Sequence, residues 1–233
     1  MKKIKFLLLA ASACVFFAGF TAKAVNIMPM GDSVTARGGT PESSYRYWLY
    51  TYLVNAGYQN IIFVGNQYGV SDGPPANSNF DQHYEGGATP GPDAWTSASG
   101  VAAIGDANSR QPNVVLLDLG SNDFRSGDDM TSALATTKAN LKQIIEGLRA
   151  ANSSVVILLA QPTPWLTSAK DERKFQSKLA GIVSQVAKEE GVIKVNLFGG
   201  FSAKNDTKDG THPNVRGEQK IAKKFFSALK RVL

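Results

Sequence analysis

Five short runs of apolar residues recur along the chain: Asn26-Ile27-Met28-Pro29-Met30, Ile61-Ile62-Phe63-Val64, Val114-Val115-Leu116-Leu117-Asp118-Leu119, Val155-Val156-Ile157-Leu158-Leu159 and Val192-Ile193-Lys194-Val195. None alternates cleanly between apolar and polar positions, which is the pattern of strands covered on both faces. Segments of helical period lie between them. The spacing predicts helices over about 45–56, 131–150, 171–190 and 215 to the C-terminus. The clearest, 131–150, places Leu134, Leu141, Ile144, Ile145 and Leu148 on one stripe. Residues 95–107 carry a weaker version of the pattern. Strand alternating with helix predicts a three-layer α/β domain, a parallel sheet with helices on both faces and no internal repeat.

Two segments modify this picture. Residues 66–94 are rich in Gly, Asn, Pro and Ser and show neither period. A loop of that length inside a compact domain is uncommon and is usually functional or mobile. The last helix carries Lys220, Lys223, Lys224, Lys230 and Arg231, but Ile221, Phe225, Leu229 and Val232 form a face at helical spacing. It reads as a packing helix with a solvated basic side.

The N-terminus reads as an export signal. Lys2, Lys3 and Lys5 precede the apolar run 6–20, and Ala22-Lys23-Ala24 supplies a small-x-small cleavage pattern. Fifteen apolar residues fall short of the ~20 that span a bilayer. A lipoprotein box at Ala11-Ser12-Ala13-Cys14 is the alternative, but it would leave Val15-Phe16-Phe17 at the lipidated end. The expectation is cleavage after Ala24, a bacterial periplasmic or secreted protein, and one domain over 25–233.

Charge and cysteine usage change with that cut. The whole chain has 25 bases against 19 acids, and four of the bases (Lys2, Lys3, Lys5, Lys23) lie in the signal. The remainder carries 21 against 19, a net charge of +2, so neither nucleic acid nor a membrane surface is implied as a partner. Cys14, the single cysteine, lies in the signal too, leaving no disulfide and no thiolate metal site. His83 and His212 are the only histidines, and no metal or organic cofactor is implied.

Chemistry-bearing residues fall at the ends of the predicted strands, where open parallel sheets bind ligands. The first strand ends in Gly31-Asp32-Ser33 and the third in Gly120-Ser121-Asn122-Asp123. If the strand order is 2-1-3-4-5, strands one and three flank the switch point and Ser33 faces Asn122. Alone, Ser33 could cap a turn, and Asn122 could stabilise its own turn or donate to a developing oxyanion, a role worth about 10²–10³ in rate. After the fifth strand comes Asp209-Gly210-Thr211-His212. An Asp three residues before a His can fix the imidazole tautomer and support the imidazolium formed when the ring takes a serine proton. Together these residues point to an activated-serine hydrolase. Gly69-Val70-Ser71-Asp72-Gly73 matches a nucleophile elbow in letters, but Pro74-Pro75 forbid the helix that must follow. Asn205 to Gly210 begins like a calcium loop, yet position twelve is Arg216 where a bidentate Glu is required.

The three motifs resemble the first, third and fifth blocks of the SGNH (GDSL-type) hydrolases, in the right order and across nearly all of residues 25–233. The resemblance implies a flavodoxin-like sheet of five parallel strands in order 2-1-3-4-5. It implies Ser33 as nucleophile, His212 as base and Asp209 as its partner. The oxyanion hole would combine the Ser33 backbone N–H, a glycine N–H and the Asn122 side chain. Gly87-Ala88-Thr89 best fits the block that supplies the glycine, with Gly86 and Gly91 as competitors; the usual Asn of that block is missing. Ile27-Met28-Pro29-Met30-Gly31-Asp32-Ser33, Tyr45-Arg46, Phe63-Val64-Gly65 and Asp81-x-His83-x-Glu85-Gly86 are similar to the acetylxylan esterases of carbohydrate esterase family 3.

The expectation is a secreted serine esterase that removes small acyl groups, acetyl first among them, from an acylated carbohydrate such as xylan. Asp32, Trp95 and Trp165 are candidates for lining the substrate site, with packing as the alternative for both tryptophans. His83 reads as loop structure or substrate lining rather than a second base. A lysophospholipase or thioesterase, or a carbohydrate O-acyltransferase, would use the same serine, histidine and aspartate.

Overall fold

The computed structural model describes residues 24–36, 44–67 and 95–233. Five strands form one sheet: β1 (Val25–Gly31), β2 (Ile61–Phe63), β3 (Val114–Asp118), β4 (Val156–Gln161) and β5 (Ile193–Asn196). All pairings are parallel and the order is β2-β1-β3-β4-β5, as expected. The chain reverses its direction of winding between β1 and β3. Their register pairs Gly31 with Asp118, so both strands stop at the same edge of the sheet.

The sheet divides the apolar residues of each strand between two cores. Met28, Met30, Val115, Leu117, Ile157 and Leu159 point to one side, against α3 (Ser97–Ala102), α4 (Ile104–Ser109), α5 (Met130–Ala151) and α6 (Lys170–Glu189). Ile27, Val114, Leu116, Leu158, Ala160 and Val195 point to the other, against α2 (Tyr45–Asn55) and α7 (Val215–Leu229). Successive strand residues face opposite sides, so a strand buried on both must be apolar at every position. That is why the sequence shows runs rather than alternation.

Several boundaries shift. β1 and β4 run on to Gly31 and Gln161, and the weak pattern over 95–107 resolves into two short helices. The first opens with a Thr96–Ser99 capping box. Its apolar stripe is faint because Gly100 stands at the contact: a Cβ there would lie 2.7 Å from Ile144 and Leu119 side-chain atoms. The C-terminal helix buries Ile221, Phe225 and Leu229 as predicted, but its basic side is partly structural. Lys220 donates to buried Asp206 at 2.6 Å, and Lys224 to the carbonyls of Leu197 and Gly199. The expected signal (1–24, save Ala24) and residues 68–94 of the long loop lie outside the described residues.

Candidate active site

β1 delivers Ser33 to the carboxyl edge of the sheet, beside the end of β3. Immediately after the strand, α1 (Ser33–Ala36) turns the chain back, and the Asp32 carbonyl accepts from the N–H groups of Thr35 and Ala36. Gly31 permits this reversal. A Cβ at that position would sit 2.2 Å from Thr35 Oγ1 and 2.9 Å from the Asp118 carbonyl oxygen. Ser33 is 5% exposed.

The loop before α7 carries the other half of the site. Asp209 Oδ1 accepts from the backbone N–H groups of Thr211 and His212 at 2.9 and 2.7 Å, and its Oδ2 meets His212 Nδ1 at 2.6 Å. A carboxylate can only accept, so Nδ1 carries the proton and Nε2 presents a lone pair. Nε2 lies 3.1 Å from Ser33 Oγ. Burial alone would raise the Asp209 carboxyl, but the bonds from His212 and Thr211 outweigh it and hold it at about 2. The loop is itself pinned. Asn214 caps α7 and donates to the Asn205 and Thr207 carbonyls, while the Gly210 carbonyl accepts from Leu166 N–H at 2.7 Å. Gly210 has φ 93°, a left-handed conformation that favours glycine. Such a relay can withdraw a proton from the Ser33 hydroxyl and return it to a leaving group.

β3 supplies the third component. Ser121 Oγ donates to Asp32 Oδ2, and Asp32 Oδ1 accepts from Val34 N–H at 2.9 Å, so strand ends one and three are tied through one carboxylate. Asn122 stands beside it, its Nδ2 3.1 Å from the Trp95 carbonyl and 3.5 Å from Asp32 Oδ2, its Oδ1 3.3 Å from Arg125 Nη2. Asp123 serves the scaffold. It accepts from Ser97 N–H, Ser97 Oγ and Thr137 Oγ1, joining the start of α3 to α5.

A cavity of about 240 Å³ opens over these groups. Ser33, Asn122 and Ser121 lie on one side, with Pro162, Thr163, Trp165, Thr211, Arg125 and Glu172 around it. Trp165, a candidate for lining the substrate site, borders this cavity. Trp95 does not line it: the residue is 4% exposed and belongs to the buried core, while its carbonyl accepts from Asn122 Nδ2. Asp32 borders the cavity but is 3% exposed, and its oxygens are engaged by Ser121, Val34 and Asn122 rather than offered to a ligand. Gly87, its competitors Gly86 and Gly91, and His83 lie outside the described residues.

Sequence reasoning passed over Arg125, Glu172 and Asp118. Asp118 ends β3, is 2% exposed, and its Oδ1 has no hydrogen-bond partner among the described residues. Burial, reinforced by the neighbouring Asp32 charge, pushes its carboxyl well above the usual range. Burial also raises Asp32, against the opposing pull of the Ser121 and Val34 hydrogen bonds and of His212. Only the β1–β3 register could have revealed this pair. Among the described residues no group of three or more His, Cys, Asp or Glu side chains is arranged to hold a metal ion.

With this geometry in place, comparison with known proteins is informative. The sequence profile of the GDSL-like lipase/acylhydrolase family matches residues 30–220. The chain belongs to that family, whose chemistry is the hydrolysis of carboxylic esters. Its match runs from the end of β1 to the first turns of α7 and so includes all three site motifs. The chain is 26% identical over 232 residues to a multidomain esterase of Ruminococcus flavefaciens, covering 91% of this chain but only 29% of that protein. A family 3 carbohydrate esterase from Clostridium thermocellum superposes with a TM-score of 0.68 at 29% identity, covering 90% of this chain and 98% of that one. A carbohydrate esterase family 3 structure from Talaromyces cellulolyticus gives 0.69 at 23% identity, over 89% and 97% of the two chains, and speaks to the fold alone. The GDSL-like fold and the carbohydrate-esterase likeness expected from the motifs are therefore both found.

Proposed function

We propose that this family member is an exported serine esterase that removes acetyl groups from a polysaccharide such as xylan. The observation that carries the reading is the unbroken line Asp209–His212–Ser33, with links of 2.6 and 3.1 Å, opening into a small cavity. In this reading Ser33 Oγ attacks the ester carbonyl while His212 Nε2 takes its proton and then returns it to the departing sugar hydroxyl. Water enters by the same route to release the acyl group as acid. The tetrahedral oxygen is held by Asn122 Nδ2 and the Ser33 N–H, which no described residue engages, with Gly87 N–H as the third donor.

Two features favour a small acyl group on a sugar over a lipid chain. At about 240 Å³ the cavity is below the ~300–1,000 Å³ usual for drug-sized ligands. Its rim carries Arg125, Glu172, Thr163 and Thr211, groups that hydrogen-bond to hydroxyls, beside Trp165. The carbohydrate esterase neighbours support the same substrate class.

Acetate release from acetylated xylan, with Ser33→Ala as control, tests the proposal. Release by the wild type alone is the expected result. Hydrolysis of aryl acetates without release from xylan would discard the polysaccharide and bring lipid or thioester substrates forward. Transfer of acetyl to an added sugar in excess of hydrolysis would make the protein an acyltransferase.

A further inference from the structure

An oxyanion donor built from a side-chain amide has a problem that a backbone N–H does not. The two ends of an Asn amide have nearly the same shape, so its neighbours must decide which end faces the substrate. At Asn122 the neighbours are of unambiguous kind. A guanidinium can only donate, and Arg125 Nη2 lies 3.3 Å from Oδ1. A carbonyl can only accept, and the Trp95 oxygen lies 3.1 Å from Nδ2. These two contacts grip opposite ends of the amide and, among the described residues, leave one Nδ2 hydrogen with only the long 3.5 Å approach to Asp32 Oδ2. A developing oxyanion would compete with that weak contact easily.

Given the oxyanion role proposed above for Asn122, on which this rests, we propose that Arg125 is a positioning residue: its guanidinium fixes the Asn122 amide with Nδ2 toward the cavity and strengthens it as a donor. Arg125 is held to the task at three points. Its Nη1 donates to the Phe124 carbonyl at 3.1 Å, its own N–H donates to Asp128 Oδ2 at 2.7 Å, and Phe124 stacks on Phe175 in the core at 4.8 Å between centroids. The guanidinium is cationic, so its hydrogen bond to Oδ1 polarises the amide carbonyl. The side chain is exposed on the cavity rim, which separates its role from support of the fold.

The test compares wild type, Asn122→Ala, Arg125→Met, Arg125→Lys and the Asn122→Ala/Arg125→Met double variant on 4-nitrophenyl acetate, which lacks any sugar for Arg125 to touch. Arg125→Met is expected to lower kcat about tenfold, part of the loss of a whole oxyanion donor, with KM and Tm nearly unchanged. Arg125→Lys recovers part of the rate by retaining the charge and a donor. The double variant is no slower than Asn122→Ala alone, because Arg125 then has nothing left to position. An unchanged kcat in Arg125→Met, a change confined to KM, a parallel fall in Tm, or multiplied losses in the double variant would each overturn the proposal. Full activity of Asn122→Ala would instead remove the oxyanion role beneath it, a result distinguishable from any of these.

Discussion

Ser33 and His212, the proposed nucleophile and base, are held by opposite means. Ser33 is almost wholly buried at the end of a central strand, and its surroundings are packed so closely that Gly31 has no room for a methyl group. His212 lies on a loop whose Asp209 side chain is 45% exposed. That loop is kept in place by hydrogen bonds to carbonyls, to the Asn214 cap and to the carboxylate itself. Close packing fixes position by excluding alternatives, whereas a hydrogen-bonded loop fixes it by satisfying backbone groups one at a time. The two halves of one relay should therefore respond differently to mutation.

Asp209→Asn gives the largest expected effect and bears on the exposed half. The amide cannot support the imidazolium and can present the wrong group to Nδ1, so kcat falls by about 10²–10⁴, out of proportion to the modest fall in Tm at neutral pH that loss of the carboxylate brings. A loss of Tm as large as the loss of rate would show that the loop is held by packing after all. The same variant alters the acid limb of stability. Because the Asp209 carboxyl sits at about 2, below its ordinary 3.8, its stabilising contribution is present above that ordinary value and lost as pH falls through 2. Wild type should therefore lose stability between pH 4 and 2 more steeply than the variant.

Gly31→Ala probes the buried half. The added methyl would press on Thr35 and on the Asp118 carbonyl, costing about 1–3 kcal/mol and displacing Ser33 from His212. Thermal unfolding and aryl acetate turnover should fall together; a variant stable but inactive, or active but unstable, would break the contrast. The smallest effect is expected from Asp118→Asn. A buried carboxyl raised in the folded state binds its proton more tightly there than in the unfolded chain. Stability therefore declines as pH rises above the ordinary carboxylate range. Replacing it by an amide removes that decline, so the Tm of the variant relative to wild type should climb between pH 4 and 8. A constant difference would mean that Asp118 does not titrate in this way.

Arg125 makes a further contrast with Asn122, its neighbour in the same loop. Asn122 is recognisable from sequence because Gly120-Ser121-Asn122-Asp123 follows a strand at a sheet end. Nothing in the spacing marks Arg125, since its meaning depends on the amide it meets. Trp95 errs in the other direction. As an aromatic residue beside a loop it suits sugar stacking, but it is buried in the core and its carbonyl accepts from Asn122.

The sequence by itself determined the alternation of strand and helix, the two-sided burial of the sheet, and the placing of Ser33, Asn122 and the Asp209–His212 pair after strand ends. These are local properties, set by period, by turn-forming residues and by apolar runs within a few positions of one another. Tertiary structure decided which strand ends lie side by side, and hence that His212 reaches Ser33 across 179 positions of chain and that Asp32 and Asp118 share one buried corner. It also decided that Arg125 grips the far end of the Asn122 amide. Distances, burial and the loss of solvent around a carboxylate arise only when separate elements pack, so no pattern confined to one element can carry them.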